Sequence, residues 1–367
     1  MFTLECESGG ARTGFLNTAH GVIQTPAFMP VATKGAAKFV TQRDFEEMGV
    51  QAFILNGFIM YLRDVLDKKD FDIHDFMSWK KPVFTDCGAF QMLRSGFFRG
   101  YSKRCIHFVS PFSGKHHYLT PEKATEIQAS LKSDVAMALD NVPRHGLTKD
   151  DYAKSVELTT EWHKKSKQAH EESGNEKQLL FGITQGGIYP DLREKSTREI
   201  INIGFDGYAI GGLSIGESPE KMLAALKCST DLLPKEQMRY FMGVGHPVHM
   251  LQSIERGVDI FDSAYPTKVA RHHRLFTSQG SLVIDRGIYR NDDSALDPEC
   301  GCYVCRNYTK SYVYHLSKLD EPNGKILKTY HNVYFLTKLM ENVRKAVKED
   351  RFKEFKDDFL KKWGDAK

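Results

Sequence analysis

Eight short apolar runs, each closing on or just before a polar residue or a glycine and each followed by a helix-like stretch, recur before residue 264. They are TPAFMPV (25–31), AFILN (52–56), PVFTD (82–86), DVAMALD (134–140), LLFGITQ (179–185), GYAIGG (207–212), YFMGVG (240–245) and DIFDS (259–263). Apolar residues follow one another in them without alternation, as in parallel strands buried on both faces. Helix starts fall between them: Thr120-Pro121-Glu122 and Ser218-Pro219-Glu220 each set an N-cap hydroxyl before a first-turn proline. Eight strands alternating with helices predict an α/β fold of the (β/α)8 barrel type. A doubly wound open sheet is the competing architecture. Its commonest versions are removed by the lack of a GxGxxG after a first strand and of a phosphate-cradling loop.

Composition excludes several other classes. With 24 Phe, 15 Tyr and 3 Trp in 367 residues, the chain can bury a sizeable core and does not read as disordered. No window approaches the ~18 apolar residues of a membrane span. The start, MFTLECESGGARTG, lacks a basic segment followed by an apolar run, so no secretory signal is expected and the location is expected to be cytoplasmic. Net charge is only +4, but residues 306–367 hold 15 Lys/Arg against 9 Asp/Glu, a local +6 that leaves −2 for the rest. Between Arg94 and His117 five basic residues stand without an acidic one. Such asymmetry points to a polyanion bound along one face, the ordinary alternative being a solvated lysine-rich surface.

The ends of the eight runs supply the chemistry, because barrel enzymes build their sites at the C-terminal face. They read Asn56, Asp86, Asp140, Gln185, Gly211-Gly212, Met242-Gly243 and Asp262. One Asp there is usually a helix cap. Three carboxylates, two carboxamides and bare glycine backbone at one mouth suit a planar heterocycle with donors and acceptors along its edge. A carboxylate can take two parallel hydrogen bonds from a guanine-type edge. Two more carboxylates allow glycosidic chemistry, one as nucleophile and one as acid and base. A basic outer surface would hold the nucleic acid carrying that bond.

The odd count of seven cysteines argues against a disulfide framework, and three of them, Cys300, Cys302 and Cys305, fall within six residues. Cys-x-Cys-x-x-Cys sets three soft ligands on one tight loop, and a fourth must come from elsewhere. His331 stands 26 residues after Cys305, at the start of an expected apolar helix, HNVYFLTKLM, with His315 as the local rival. Three Cys and one His make a closed site, so one structural zinc per chain is expected.

TDCGAFQ (85–91), FGITQGG (181–187), FDGYAIGGLSIGE (205–217), YFMGVG (240–245), FDSAYPTKVARH (261–272) and CGCYVC with its later His resemble the queuine tRNA-ribosyltransferases, or tRNA-guanine transglycosylases, of bacterial type. The motifs run in the family's order from roughly residue 12 to residue 340. The resemblance implies exchange of guanine for a 7-deazaguanine base at the wobble position of tRNAs with a GUN anticodon. Asp262 would attack the ribose anomeric carbon, and Asp86 would be the general acid/base. Asp140, Gln185 and the Gly212 backbone would read the base edge, with Phe90 and Met242 sandwiching the ring. Lys268 and Arg271, in a PTK-x-x-R loop, would contact the tRNA, and His331 matches the family's fourth zinc ligand. A homodimer is implied, as is a division into a catalytic barrel (1–285), a zinc-binding subdomain (286–335) and C-terminal basic helices packed on the barrel (336–367).

The sequence departs from the family at three places. Asp86-Cys87-Gly88-Ala89-Phe90-Gln91 stands where Asp-Ser-Gly-Gly-Phe-Gln or its Tyr variant is usual, and Asn56-Gly57-Phe58-Ile59-Met60 replaces Asn-Thr-Tyr-His-Leu. Ser263 and Lys268 stand where many bacterial members have Cys and Arg, and Lys lacks the bidentate geometry of Arg. No expected carboxylate or zinc ligand is missing. The resemblance implies that Ile215, where members accepting queuine tend to have Gly, restricts the pocket toward the small prequeuine, whereas Val142 stands where prequeuine users tend to have Cys and queuine users Val; prequeuine is the slightly favoured expectation. The alternatives are base exchange on DNA and a noncatalytic RNA-binding subunit.

Overall fold

The structure, a computed structural model, describes residues 1–63, 65–67, 70–89 and 97–364. Three antiparallel strands, β1 (Phe2–Ser8), β2 (Ala11–Thr18) and β3 (Gly21–Thr25), precede the first of the eight runs. The runs themselves are β4 (Ala27–Pro30), β5 (Phe53–Asn56), β6 (Val83–Asp86), β10 (Val135–Met137), β11 (Leu179–Thr184), β12 (Gly207–Ile210), β13 (Met238–Phe241) and β14 (Ile260–Ser263). They pair in parallel in the order β4-β14-β13-β12-β11-β10-β6-β5. A parallel bridge between Val31 and Ile54 joins the two ends, so the sheet closes into the expected barrel.

The two-residue period of the strands explains both the core and the site. Inside the barrel pack Ala27, Met29, Ile54, Phe84, Val135, Met137, Phe181, Ile183, Ala209, Met238, Tyr240 and Ile260. Phe84 meets Phe181 and Tyr240 edge-on, at centroid separations of 6.0 and 6.1 Å. Each such fully buried large side chain contributes about 1.5–3 kcal/mol of transfer free energy. The intervening residues, among them Phe53, Leu180, Tyr208 and Phe241, face the helices. Two residues beyond Ile54, Phe84, Ile183, Ala209, Tyr240 and Ile260 come Asn56, Asp86, Gln185, Gly211, Met242 and Asp262. One alternation thus turns an apolar interior into a polar mouth.

The opposite mouth is covered by β1–β3, whose Phe2, Leu16 and Ile23 join the interior cluster. There Arg12 Nε donates to Asp259 at 2.8 Å, a fully buried pair. Asp134 accepts the N–H groups of His20 and Val83, both at 2.8 Å. A second antiparallel sheet, β7 (Phe98–Tyr101), β8 (Ile106–Val109) and β9 (His116–Leu119), is inserted between β6 and β10 and carries most of the basic stretch that ends at His117. The sequence reading contained neither sheet, because both lie outside the repeat of apolar runs followed by helices.

Beyond β14, the PTKVAR segment read as a loop is a helix, Tyr265–Arg271. The hairpin β15 (Arg274–Thr277) and β16 (Gly280–Val283) and four helices follow. The longest of these, Pro322–Lys348, is continuous and packs on β1, β2, β4 and β15. His331 therefore lies in its interior, not at a helix start. Among the described residues no helix is long and apolar enough to cross a membrane.

Candidate active site at the C-terminal mouth

A cavity of about 720 Å³ opens at the polar mouth, lined among others by Asp86, Cys87, Asp140, Gly212, Met242 and Asp262. Asp262, near the end of β14, is held from one side: its Oδ1 accepts from the Tyr240 hydroxyl at 2.5 Å and from Gly243 N–H at 2.9 Å. Burial raises its pKa, and these two bonds oppose the rise. Tyr240 is fully buried, and burial together with the charge of Asp262 pushes its own pKa well up, so it stays a donor. Sequence reasoning passed over Tyr240, because an aromatic inside a strand reads as core.

Asp86 closes β6, and its Oδ1 accepts the N–H of Gly88 at 2.9 Å. Gly88 has φ +83°, and a Cβ there would stand 2.4 Å from the Cβ of Phe58, so this turn admits only glycine. Asn56 Oδ1 caps the next helix through Ile59 N–H at 2.6 Å, which makes this strand end the ordinary cap.

Asp140 and Gln185 are buried and bonded to each other, Gln185 Nε2 to Asp140 Oδ2 at 2.7 Å. The Cys87 thiol stands 3.6 Å from Asp140 Oδ1 as a weak donor. Burial raises the Asp140 pKa to about 6, with the Gln185 and Cys87 bonds acting the other way. Gln185 Oε1 is buried without a partner among the described residues. It lies against Gly212, φ +66°, where a Cβ would come within 2.2 Å of it.

The remaining expected residues fall in different places. Met242 lines the cavity, half-buried, while Phe90 lies outside the described residues. Lys268 is exposed at the rim, whereas Arg271 Nε turns back onto the Thr267 carbonyl of its own helix at 3.0 Å. Val142 and Ile215 both line the cavity.

Away from the mouth, the sulfurs of Cys300, Cys302 and Cys305 stand 3.9, 3.5 and 3.3 Å from His331 Nδ1. Cys302 caps the short helix Tyr303–Asn307 that contains Cys305, so the third ligand sits on a helical turn and not on the expected loop. Nε2 of His331 meets the Phe276 carbonyl at 2.6 Å, which fixes the tautomer and turns the Nδ1 lone pair toward the three sulfurs. These four residues can hold a metal ion, and the exposed His315 is not among them.

A closed parallel barrel with three carboxylates and a glycine peptide around one cavity at its C-terminal mouth is the architecture of a barrel enzyme. The sequence model of the family "Queuine tRNA-ribosyltransferase" matches residues 6–365. The queuine tRNA-ribosyltransferase of Halothermothrix orenii is 46% identical over 356 residues, covering 96% of this chain and 94% of that one. That of Pelotomaculum thermopropionicum is 43% identical over 98% of this chain and 97% of its own. That of Fusobacterium nucleatum is 42% identical over 99% and 98%. The chain belongs to the queuine tRNA-ribosyltransferase family and is a pentosyltransferase.

Proposed function

We propose that the protein exchanges guanine for a 7-deazaguanine base at the wobble position of GUN-anticodon tRNAs, by double displacement at the ribose anomeric carbon. The observation that carries this reading is the one-sided hold on Asp262. Tyr240 and Gly243 both act on Oδ1, so Oδ2 is the oxygen aimed for attack. In the first step Oδ2 bonds to C1′, the C1′–N9 bond breaks, and Asp86 delivers a proton to the departing guanine. In the second, Asp86 takes the N9 proton of the incoming base, whose nitrogen displaces the Asp262 carboxylate. Configuration at C1′ is retained and the strand is never cut.

The bonded Asp140–Gln185 pair is the reading device in its resting form. On base entry the Gln185 amide nitrogen passes to the base carbonyl, and Asp140 accepts the two N–H groups of the guanine edge. Gly212 N–H joins on the carbonyl, with Met242 and Phe90 against the ring faces. Lys268 at the rim and Arg271 behind it meet the tRNA. Ile215 limits the room beside the base and inclines the pocket to prequeuine. The donor set of three thiolates and one imidazole suits zinc, closed and structural. As in the resemblance, a cytoplasmic homodimer is the expected working form.

The test is to load tRNA with labelled guanine and chase separately with guanine, prequeuine and queuine. Release of label by guanine and by prequeuine, abolished in Asp262→Ala while that variant still binds tRNA, is expected. Normal turnover by Asp262→Ala sinks the covalent assignment, and exchange on DNA but not tRNA replaces the substrate.

A further inference from the structure

Arg193, in the first turn of the helix Pro190–Ile203, is fully buried beneath the mouth. Its Nε donates to the Gly187 carbonyl at 2.8 Å, Nη1 to Thr184 at 3.1 Å and Nη2 to Gly211 at 2.6 Å. None of these partners is a carboxylate. Burial lowers its pKa to about 9, which leaves it protonated near neutrality. A buried cation satisfied only by carbonyls is costly, and its placement calls for a reason.

That reason lies in the peptide it grips. Gly211 and Gly212 are joined by a trans bond, so the Gly211 carbonyl and the Gly212 N–H point in opposite directions. Nη2, by drawing the carbonyl toward the helix, turns the N–H toward the cavity that both glycines line. Between two glycines this peptide has little else to stop it rotating. Flipped, it would offer the base a carbonyl, which suits an amino group and repels an oxo group. A cation on the carbonyl oxygen also polarises the amide and strengthens its N–H as a donor.

We infer that Arg193 is a positioning residue that sets specificity: it holds the Gly211–Gly212 peptide with its N–H toward the base, so the pocket takes a carbonyl at that edge. This rests on the base-exchange reading above. The experiment compares wild type, Arg193→Lys and Arg193→Met in exchange on tRNA, with guanine and 6-thioguanine as incoming bases. Sulfur is the weaker acceptor, while the N1–H and 2-amino edge is kept. Both variants are expected to raise the KM for guanine by about tenfold or more, with the KM for tRNA within about twofold. The preference for guanine over 6-thioguanine should fall by about fivefold or more, because only guanine uses the aimed donor fully. A mere loosening of the fold weakens both bases in proportion, so an unchanged ratio overturns the inference even if activity drops. If Arg193→Met does not fold, Arg193→Lys decides by the same ratio, since it keeps the charge but not the planar fork that reaches three carbonyls at once. A wild type that exchanges no guanine into tRNA removes the functional reading itself, a result distinct from active variants with an unchanged ratio.

Discussion

The Tyr240 hydroxyl donates to Asp262 Oδ1 at 2.5 Å from a ring with no solvent exposure, tying the last layer of the barrel's apolar interior to the first layer of its polar mouth. This bond lowers the pKa of a carboxylate that burial raises. Tyr240→Phe keeps the packing and removes the donor. Hydrogen bonds to charged groups are worth about 1.5–3 kcal/mol, so kcat/KM should fall roughly 10- to 150-fold. Without the donor the Asp262 pKa rises, so the acidic limb of the pH–rate profile should move to higher pH. An unmoved limb shows that Tyr240 does not tune the nucleophile.

Asp140 supplies a second pH dependence. It must be ionised to accept two base N–H groups, and burial puts its pKa at about 6. The KM for guanine should therefore be flat above about pH 7 and climb as pH falls through 6, approaching tenfold per unit. Asp140→Asn should bind guanine poorly at every pH and lose this dependence; persistence of the same slope in that variant assigns it to another group.

One zinc per chain is expected by metal analysis, absent in Cys302→Ser and His331→Ala and kept in His315→Ala. Because the cluster ties the Cys300–Cys305 segment to the long helix Pro322–Lys348, its loss should lower Tm more than it slows the residual turnover. Retention of the metal by His331→Ala would contradict the ligand set.

Lys268→Ala should weaken tRNA binding and reduce its salt slope by about one, with little change in base affinity. Arg271→Ala should do less, since its Nε is engaged on Thr267. Filter binding across a salt series separates the two, and a larger loss at Arg271 means that this side chain swings out to meet the RNA.

Ile215→Gly deletes a branched side chain at the cavity wall and should improve queuine relative to prequeuine. A few methylenes in an apolar pocket are worth ~1–3 kcal/mol, roughly 10- to 200-fold in relative specificity. Competition between the two bases on one tRNA measures this ratio; if Ile215→Gly leaves it unchanged, Val142 or the Asn56–Met60 segment carries the selectivity.

The barrel was legible because strands buried on both faces must be apolar throughout and must end where the site begins. Their place at or next to the ends of these runs marked Asp86, Gln185, Met242 and Asp262 by position alone. The sheets β1–β3 and β7–β9 escaped because they are antiparallel and stand outside the repeat of one apolar run followed by one helix. The PTKVAR helix was hidden because it spans only seven residues and starts after Ala264, without the N-cap hydroxyl that marks the helices after Thr120 and Ser218.

The sequence by itself determined the closed sheet, the placement of three carboxylates at one mouth and the soft ligands of a metal site, because these follow from strand periodicity and ligand type. Tertiary structure alone decided which groups work together. It set Tyr240 on Asp262, Gln185 on Asp140, Phe276 behind His331 and Arg193 beneath Gly211. Each pair joins residues 18 to 55 positions apart in the chain. A hydrogen bond depends on distances of tenths of an ångström, and those distances exist only after the strands have taken their register.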